Sequence, residues 1–371
     1  MKTPRDWVTR PLSQFVSLQR GFDLPTHARV PGSVPVLSSG GVNGSHNEAK
    51  VDGDNFVIGR VTNIGRPTWS SVPFWPLNTT LFVKDFLGNF PKFCFYWFLA
   101  TDLSGFDSGS VQPTLNRNYI ANIPVAIPSF VEQRRIAEVL GALDDKIESN
   151  QNLAEVIPNL IDAHIHHELS DGSGDSIPVS KLAKFVNGGA YTKDASGTGR
   201  MVIRIADLNT GPGASTIYND IDVPDDRLAH FGDLLMSWSG SLGVYVWVRE
   251  EAIVNQHIFK VIFTDFPAWL VHNRLNVALH GFRAIAADKA TTMGHIQRKH
   301  LDETFVEVPI AKLEQLNHLC VPLWNRFISA QLESMRLAEL RDALLPELMS
   351  GRMRVDEAGQ LVSEALDKEV R

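Results

Sequence analysis

The chain has little that would point to chemistry of its own. Only two of its 371 residues are cysteines, Cys94 and Cys320, and neither belongs to a CxxC pair. That excludes a disulfide framework and a thiolate zinc site, and it fits a reducing cytoplasm. No apolar run approaches the ~18 residues of a membrane span. The opening MKTPRDWVTRPLSQF lacks the apolar core of a secretory signal. There is no GxxxxGK[ST] phosphate loop, so ATP-driven movement has no seat here. A glycine-rich cofactor turn paired with an Asn/Asp-Pro-Pro-Tyr/Phe loop, which base methylation would need, is also missing. The nearest nuclease-like fragment, Glu48–Lys50, has no acidic residue placed before it, and Pro-Asp occurs only at Pro224–Asp225. The histidines of HIHH (164–167) lack partner ligands and read as a solvated helix end, while GGVNG (40–44) reads as a turn.

What is present is ordinary in bulk and uneven in layout. Hydrophobic residues make up 44% and charged residues 21%, as in a folded protein of two or more domains. A net charge of −7 argues against a simple nucleic-acid binder. The distribution changes that reading. Residues 1–130 carry 11 Lys/Arg and 8 Asp/Glu, whereas residues 131–174 carry 3 and 9. Residues 175–308 carry 13 and 15, and residues 309–371 carry 8 and 10. Much of the acidity lies in a mid-chain helical stretch, so the first segment can meet DNA while the acidic part faces elsewhere.

The chain repeats itself in order more than in identity. PLSQFVSLQRGFDLP answers PVSKLAKFVNGGAYTK, each a short amphipathic stretch running into glycine. VPVLSSGGVNG answers MVIRIADLNTG, and GDNFVIGRVTNIG answers GDLLMSWSGSLG. SVQPTLNRNYIANIPVAIP answers TMGHIQRKHLDETFVEVP, each ending in a strand and a proline. Asp54 to Asp233 is 179 residues and Pro128 to Pro309 is 181, so the landmarks keep their offset. The segments before the prolines read as short strands with Gly, Pro and Asn turns. KFCFYWFLATDL is a buried helix or strand, with its counterpart near AWLVHNRLNVAL. The small, polar SDGSGDS (170–176) reads as a linker.

After each boundary proline a long helical pattern begins. The first seam is Ile136, Leu140, Leu143, Ile147, Asn150, Ala154, Ile157, Ile161 and His164. The second is Leu316, Cys320, Leu323, Phe327, Ala330, Ser334, Leu337, Arg341, Leu344 and Leu348. Alternating spacings of four and three describe a coiled-coil-like face, with Asn150 as a polar register residue. Pro158 and Pro322 predict a kink or a break in each helix.

The stretch IPSFVEQRRIAEVLGALDDKIE is similar to the central conserved region of type I restriction–modification specificity subunits. Pro128, Glu132, Gln133, Arg134, Arg135, Ile136, Ala137, Leu140, Asp144 and Ile147 carry that resemblance. LAELRDALLPELMSGRMRV (337–355) is similar to the family's C-terminal conserved region. The resemblance implies an α/β fold with two target recognition domains in pseudo-two-fold repeat. Two long antiparallel helices would separate them as a coiled-coil-like spacer. The boundaries expected are 1–130 and 171–308 for the recognition domains, 131–170 and 309–355 for the helices, and 356–371 for a C-terminal tail. It further implies a non-catalytic subunit, each domain reading one half of a bipartite site in double-stranded DNA. The helices would set the gap and dock two adenine methyltransferase subunits, with restriction or motor subunits joining them. S-adenosylmethionine, ATP and Mg would belong to those partners, leaving no cofactor and no metal in this chain.

Reading base edges needs side-chain donors and acceptors, with Arg and Lys on phosphates. The polar turns of the first half offer Asn43, His46, Arg60, Asn63, Arg66, Thr68, Gln112, Asn116 and Arg117. Those of the second offer Arg204, Asn209, Ser237, Ser239, His295, Gln297, Arg298 and Lys299. Arg117 and Arg298 stand out because both fall 11 residues before the boundary proline. All of these are equally consistent with ordinary turn residues. The competing reading is a structural protein with duplicated domains on a coiled-coil hub and no role on DNA, favoured by the net charge.

Overall fold

The computed structural model describes residues 6–106, 114–170, 172–288 and 294–367. Its contacts divide the chain into Met1–Ile147 with Arg336–Arg371, and Glu148–Met335. The first unit opens with β1 (Val8–Pro11), β2 (Ser17–Arg20), β3 (Val34–Ser38), β4 (Gly41–His46) and β5 (Asn55–Gly59). It continues through β6 (Pro67–Ser70), β7 (Trp75–Pro76), β8 (Thr80–Asp85), α1 (Pro91–Ala100), α2 (Arg117–Ile120) and β9 (Pro124–Ile127). The strands form sheets in the orders β2-β8-β5-β6 and β4-β3-β7, with β1 paired to β9.

The long helix α3 (Phe130–Leu169) leads into the second unit. There β10 (Asp175–Pro178), β11 (Ala183–Asn187), β12 (Arg200–Ile203), α4 (Ile205–Thr210), β13 (Ile217–Asn219) and β14 (Leu228–Ala229) follow. Then come β15 (Leu234–Ser237), β16 (Gly243–Val246), β17 (Ala252–Val254), β18 (Ile258–Phe263), α5 (Ala268–Asp288), α6 (Arg298–Glu303) and β19 (Phe305–Val308). The chain ends on α7 (Leu313–Met349) and α8 (Val355–Asp367). The sheets are β11-β18-β15-β16, β13-β12-β17-β14 and β10-β19. Apart from the added β14, the strand order is that of the first unit.

The repeat extends to register. Val8 faces Ile127 as Asp175 faces Val308, and Leu18 faces Val83 as Phe185 faces Val261. The glycine after β2 and the glycine after β11 answer one constraint. A Cβ on Gly21 would lie 2.2 Å from the Leu77 carbonyl oxygen, and one on Gly188 would lie 2.1 Å from that of Val254. No side chain fits where two backbones pass so closely, which explains the recurring run into glycine. Register also refines the landmark at the start of the central strand. Val57 faces Phe82 as Leu235 faces Lys260, so Asp54 matches Gly232, not Asp233. Both are left-handed, with φ of 53° and 87°.

KFCFYWFLATDL forms α1, whose apolar side chains on several faces suit a helix with five of its ten residues buried. Phe93, Trp97 and Phe98 join Phe15 and Phe56 in the first core. Ile136, Leu140 and Leu143 of α3, Leu344 and Leu348 of α7, and Val355, Ala358 and Val362 of α8 complete it. The second core takes Ile157, Ile161 and Ile165 of α3 with Leu316, Cys320, Trp324 and Phe327 of α7, against Trp269, Leu275 and Phe282 of α5. The apolar seams are therefore buried, and what they meet includes the α/β body of each unit as well as the other helix. Within the second unit α3 and α7 run antiparallel: Glu168 lies 4.0 Å from Lys312 and Asn150 3.5 Å from Arg326.

Both helices run without a break through Pro158 and Pro322. The expected tail over 356–371 instead contributes most of a helix, Val355–Asp367, with Val355, Ala358 and Val362 buried.

Candidate nucleic-acid interface

Each unit ties its strands to its helix by polar contacts, which fixes where the loops stand. In the first unit Gln133 is 2% exposed. Its Oε1 accepts from Phe90 N at 2.8 Å, and its Nε2 donates to Asn89 Oδ1 at 2.9 Å and to Pro128 O at 3.1 Å. Tyr96 donates to Asp144 Oδ2 at 2.6 Å, and Arg341 holds Asp144 Oδ1 at 2.9 Å. Burial first, and then the Asp144 charge, drive the Tyr96 phenol far above its ordinary pKa, so it stays a neutral donor. In the second unit Trp269 donates to Asn317 Oδ1 at 2.8 Å, and Asn273 and Arg274 both reach Asp162 Oδ1.

The first-half candidates fall into three groups. His46 is a core residue: it is 6% exposed, its Nδ1 accepts from Val30 N at 3.0 Å, and its ring lies edge-on to Trp75. Thr68 is half-buried in β6. Asn116 caps α2 by accepting from Asn118 N at 3.0 Å. The second group shapes loops. Asn63, at a left-handed φ of 49°, donates to Ser39 O at 3.3 Å. Arg60 donates through Nε to Leu115 O at 3.2 Å and through Nη1 to Asn78 O at 2.9 Å. Burial, helped by the nearby Arg20 charge, lowers the Arg60 pKa from its ordinary value. The third group is exposed: Arg66, Asn43, which accepts from Arg29, and Arg117, which donates to Leu18 O at 3.0 Å. Gln112 lies outside the described residues.

In the second half Arg204 is committed to its own turn, with Nε 2.9 Å and Nη2 3.1 Å from the Asp207 carboxylate. Burial pushes the Asp207 pKa up, but bonds from Arg204 and Thr216 outweigh it and hold the carboxyl below its usual range. Ser237 is 0% exposed, donating to Ser241 O at 2.6 Å and accepting from Gly243 N at 2.9 Å. Asn209 accepts from Tyr245 OH at 2.7 Å. Ser239 and His295 are brought together as an antiparallel bridge. Gln297, Arg298 and Lys299 follow at the start of α6, all exposed. Arg298 donates to Phe185 O at 2.9 Å. Phe185 is the register match of Leu18, so the two equivalent arginines hold equivalent carbonyls. That bond orients each guanidinium on its exposed side.

Residues 4–159 match the family described as the type I restriction modification DNA specificity domain. That match covers 156 of the 371 residues, in the first part of the chain. The chain is 22% identical over 326 residues to the type I restriction enzyme MjaIX specificity subunit of Methanocaldococcus jannaschii, covering 76% of this chain and 74% of that protein. The crystal structure of the type I restriction-modification system S subunit from M. genitalium matches 94% of this chain and 98% of its own. Its TM-score of 0.59 at 14% identity shows a shared fold. The HsdS subunit from Thermoanaerobacter tengcongensis also matches, with a TM-score of 0.36 at 13% identity over 95% of this chain and 99% of that one. Among the described residues, no group of three or more His, Cys, Asp or Glu could hold a metal ion. Among the described residues, no helix is long and apolar enough to cross a membrane.

The sequence reading passed over Arg20, Asn78, Trp238, Gln256 and His257, which sit beside Arg60 and Ser239. Their signal was available only through the repeat: Arg20 and Asn187 each immediately precede the glycine that both halves share.

Proposed function

We propose that this chain is the DNA specificity subunit of a type I restriction–modification system, with each α/β unit reading one half of a bipartite site. The observation that carries the reading is one strand framework built twice in one chain, each time followed by a long helix. A split target needs two readers, and a repeat supplies them without a second gene product. In this reading α3 and α7 set the unread gap and dock two adenine methyltransferase subunits, which restriction or motor subunits join. Base methylation, ATP use and cleavage fall to those subunits. The acidic stretch after residue 130 lies on α3, so the strand-rich part of the first unit keeps its positive balance for DNA. Val131, Val156 and Leu160 of α3 are exposed, which suits a helix made to be covered by a partner.

The test is binding of the chain, assembled with its modification partner, to duplex DNA at two salt concentrations. Phosphate contacts release counterions, so affinity should fall steeply between about 50 and 200 mM salt. A complex that forms but binds no DNA at either concentration would favour a structural hub. Arg117→Ala and Arg298→Ala should each weaken binding without unfolding the chain. Unchanged affinity in both would remove them from the interface.

A further inference from the structure

The matched registers allow the two halves to be compared position by position. Phe22 bridges Leu77 in parallel as Gly189 bridges Asn255. Leu115 N donates to Arg60 O at 2.8 Å as Ile296 N donates to Trp238 O at 3.0 Å. Arg60 therefore stands where Trp238 stands, Arg20 where Asn187 stands, and Asn78 where Gln256 stands. Gly21 with Gly188 and Arg117 with Arg298 keep their chemistry, and Asn78 and Gln256 both carry an amide, whereas the cations Arg20 and Arg60 are replaced by Asn187 and Trp238.

In the first half, Arg20 Nε and Arg60 Nη1 donate to the same Asn78 carbonyl, at 3.3 and 2.9 Å. Two guanidinium groups thus converge on one neutral acceptor. Neither has a carboxylate within ion-pair distance among the described residues, and the nearby Asp23 carboxylate accepts from Asn78 Nδ2. A guanidinium has five N–H donors on three nitrogens. Arg20 Nη1 and Nη2 and Arg60 Nη2 have no protein acceptor among the described residues. Like charges held together with spare donors are costly unless an acceptor-rich ligand completes them.

In the second half the same position is aromatic and amphoteric. Trp238 lies 5.4 Å from His257, ring centre to ring centre, and its Nε1 is buried without a partner. Gln256 and His257 are exposed and meet at 3.2 Å. Ser239, the next residue, is bridged to the exposed His295.

We infer that this matched position is where each half reads its own half-site: Arg20 and Arg60 in the first half, Gln256 and His257 on the Trp238 shelf in the second. The inference rests on the proposed DNA role and goes further, to residues. Spare guanidinium donors suit the acceptor edge of guanine, whereas an amide beside an imidazole both donates and accepts, as an adenine edge requires. A shared framework that presents two cations in one half and an aromatic, an amide and an imidazole in the other is what two readers of different sequences need.

The experiment uses the full chain assembled with its modification partner. Wild type, Arg20→Gln and His257→Ala are compared by sequencing methylated adenines and by affinity for the wild-type site. Both residues are exposed, and circular dichroism checks that the fold is kept. Arg20→Gln should relax one half-site and weaken binding roughly 5- to 150-fold, leaving the other half-site and the gap intact. His257→Ala should alter only the other half-site. Two results overturn the inference. One is an unchanged motif with unchanged affinity in both variants. The other is a uniform loss on all sequences with a shallower salt slope, which would make the spot a phosphate contact. Absence of both motif and salt-dependent binding in the wild-type complex would instead refute the DNA role itself.

Discussion

Replacing Gln133 by Leu removes a polar joint and keeps the volume. The amide closes three bonds at once, to Phe90 N, Asn89 Oδ1 and Pro128 O. Asn89 carries the joint onward, its Nδ2 donating to Phe15 O at 2.8 Å and Phe86 O at 3.0 Å. One side chain thereby links the loop before α1, the approach to β2 and the start of α3. Leucine would leave one donor and two acceptors without partners. At about 1 kcal/mol per bond, the loss should be about 3 kcal/mol. Because the chain holds two units, a single unfolding midpoint would blur the effect. Urea unfolding should therefore be combined with hydrogen exchange over residues 86–98, where protection should drop about 100-fold. A loss below about 0.5 kcal/mol with unchanged exchange would refute the joint. It would also point to another reason for glutamine in the helix-start motif.

Other consequences are equally direct. Gly21→Ala and Gly188→Ala should each destabilise their own unit by more than about 2 kcal/mol in chemical unfolding, since a backbone oxygen occupies the Cβ position. His272 packs against Trp324 and Phe327, and burial pushes its pKa down from 6.5 to about 4. The unfolded chain takes up that proton first, so stability present above pH 6.5 should be lost as pH falls towards 4. His272→Phe should remove part of that acid loss in unfolding measured across the range. Asn150 is 0% exposed, its Nδ2 has no partner, and Arg326 is 3.5 Å from its Oδ1. Asn150→Leu should raise thermal stability by about 1 kcal/mol, and a fall would show that a buried water or tighter pairing satisfies the amide.

Much of this architecture was legible in the sequence because it rests on periodicity and punctuation. Pro128 and Pro309 mark where strands end, and α3 and α7 begin two and four residues later. The seams were visible because burial on a helix recurs every three or four residues. The same spacing recurs in Val355, Ala358 and Val362, the buried face of α8, where only a C-terminal tail over 356–371 was expected. Pro158 and Pro322 did not break their helices because packing of Ile157, Ile161, Cys320 and Trp324 in the second core holds the surrounding turns. The candidate site was less legible for a physical reason. A polar side chain that braces a turn and one that reads a base have the same composition. Ser237, His46 and Arg204 are satisfied inside their own units, and only tertiary partners reveal it. Arg20 and Trp238 were not among the candidates, and only the register of the two halves sets Trp238 against Arg60 and Asn187 against Arg20.

The most direct measurement is base-resolution sequencing of methylated adenines in a host that carries the modification partner, with and without this chain. The account predicts a split motif, methylated on both strands, that appears only when the chain is present. A complex that forms and is active but produces the same methylation with and without this chain would contradict it.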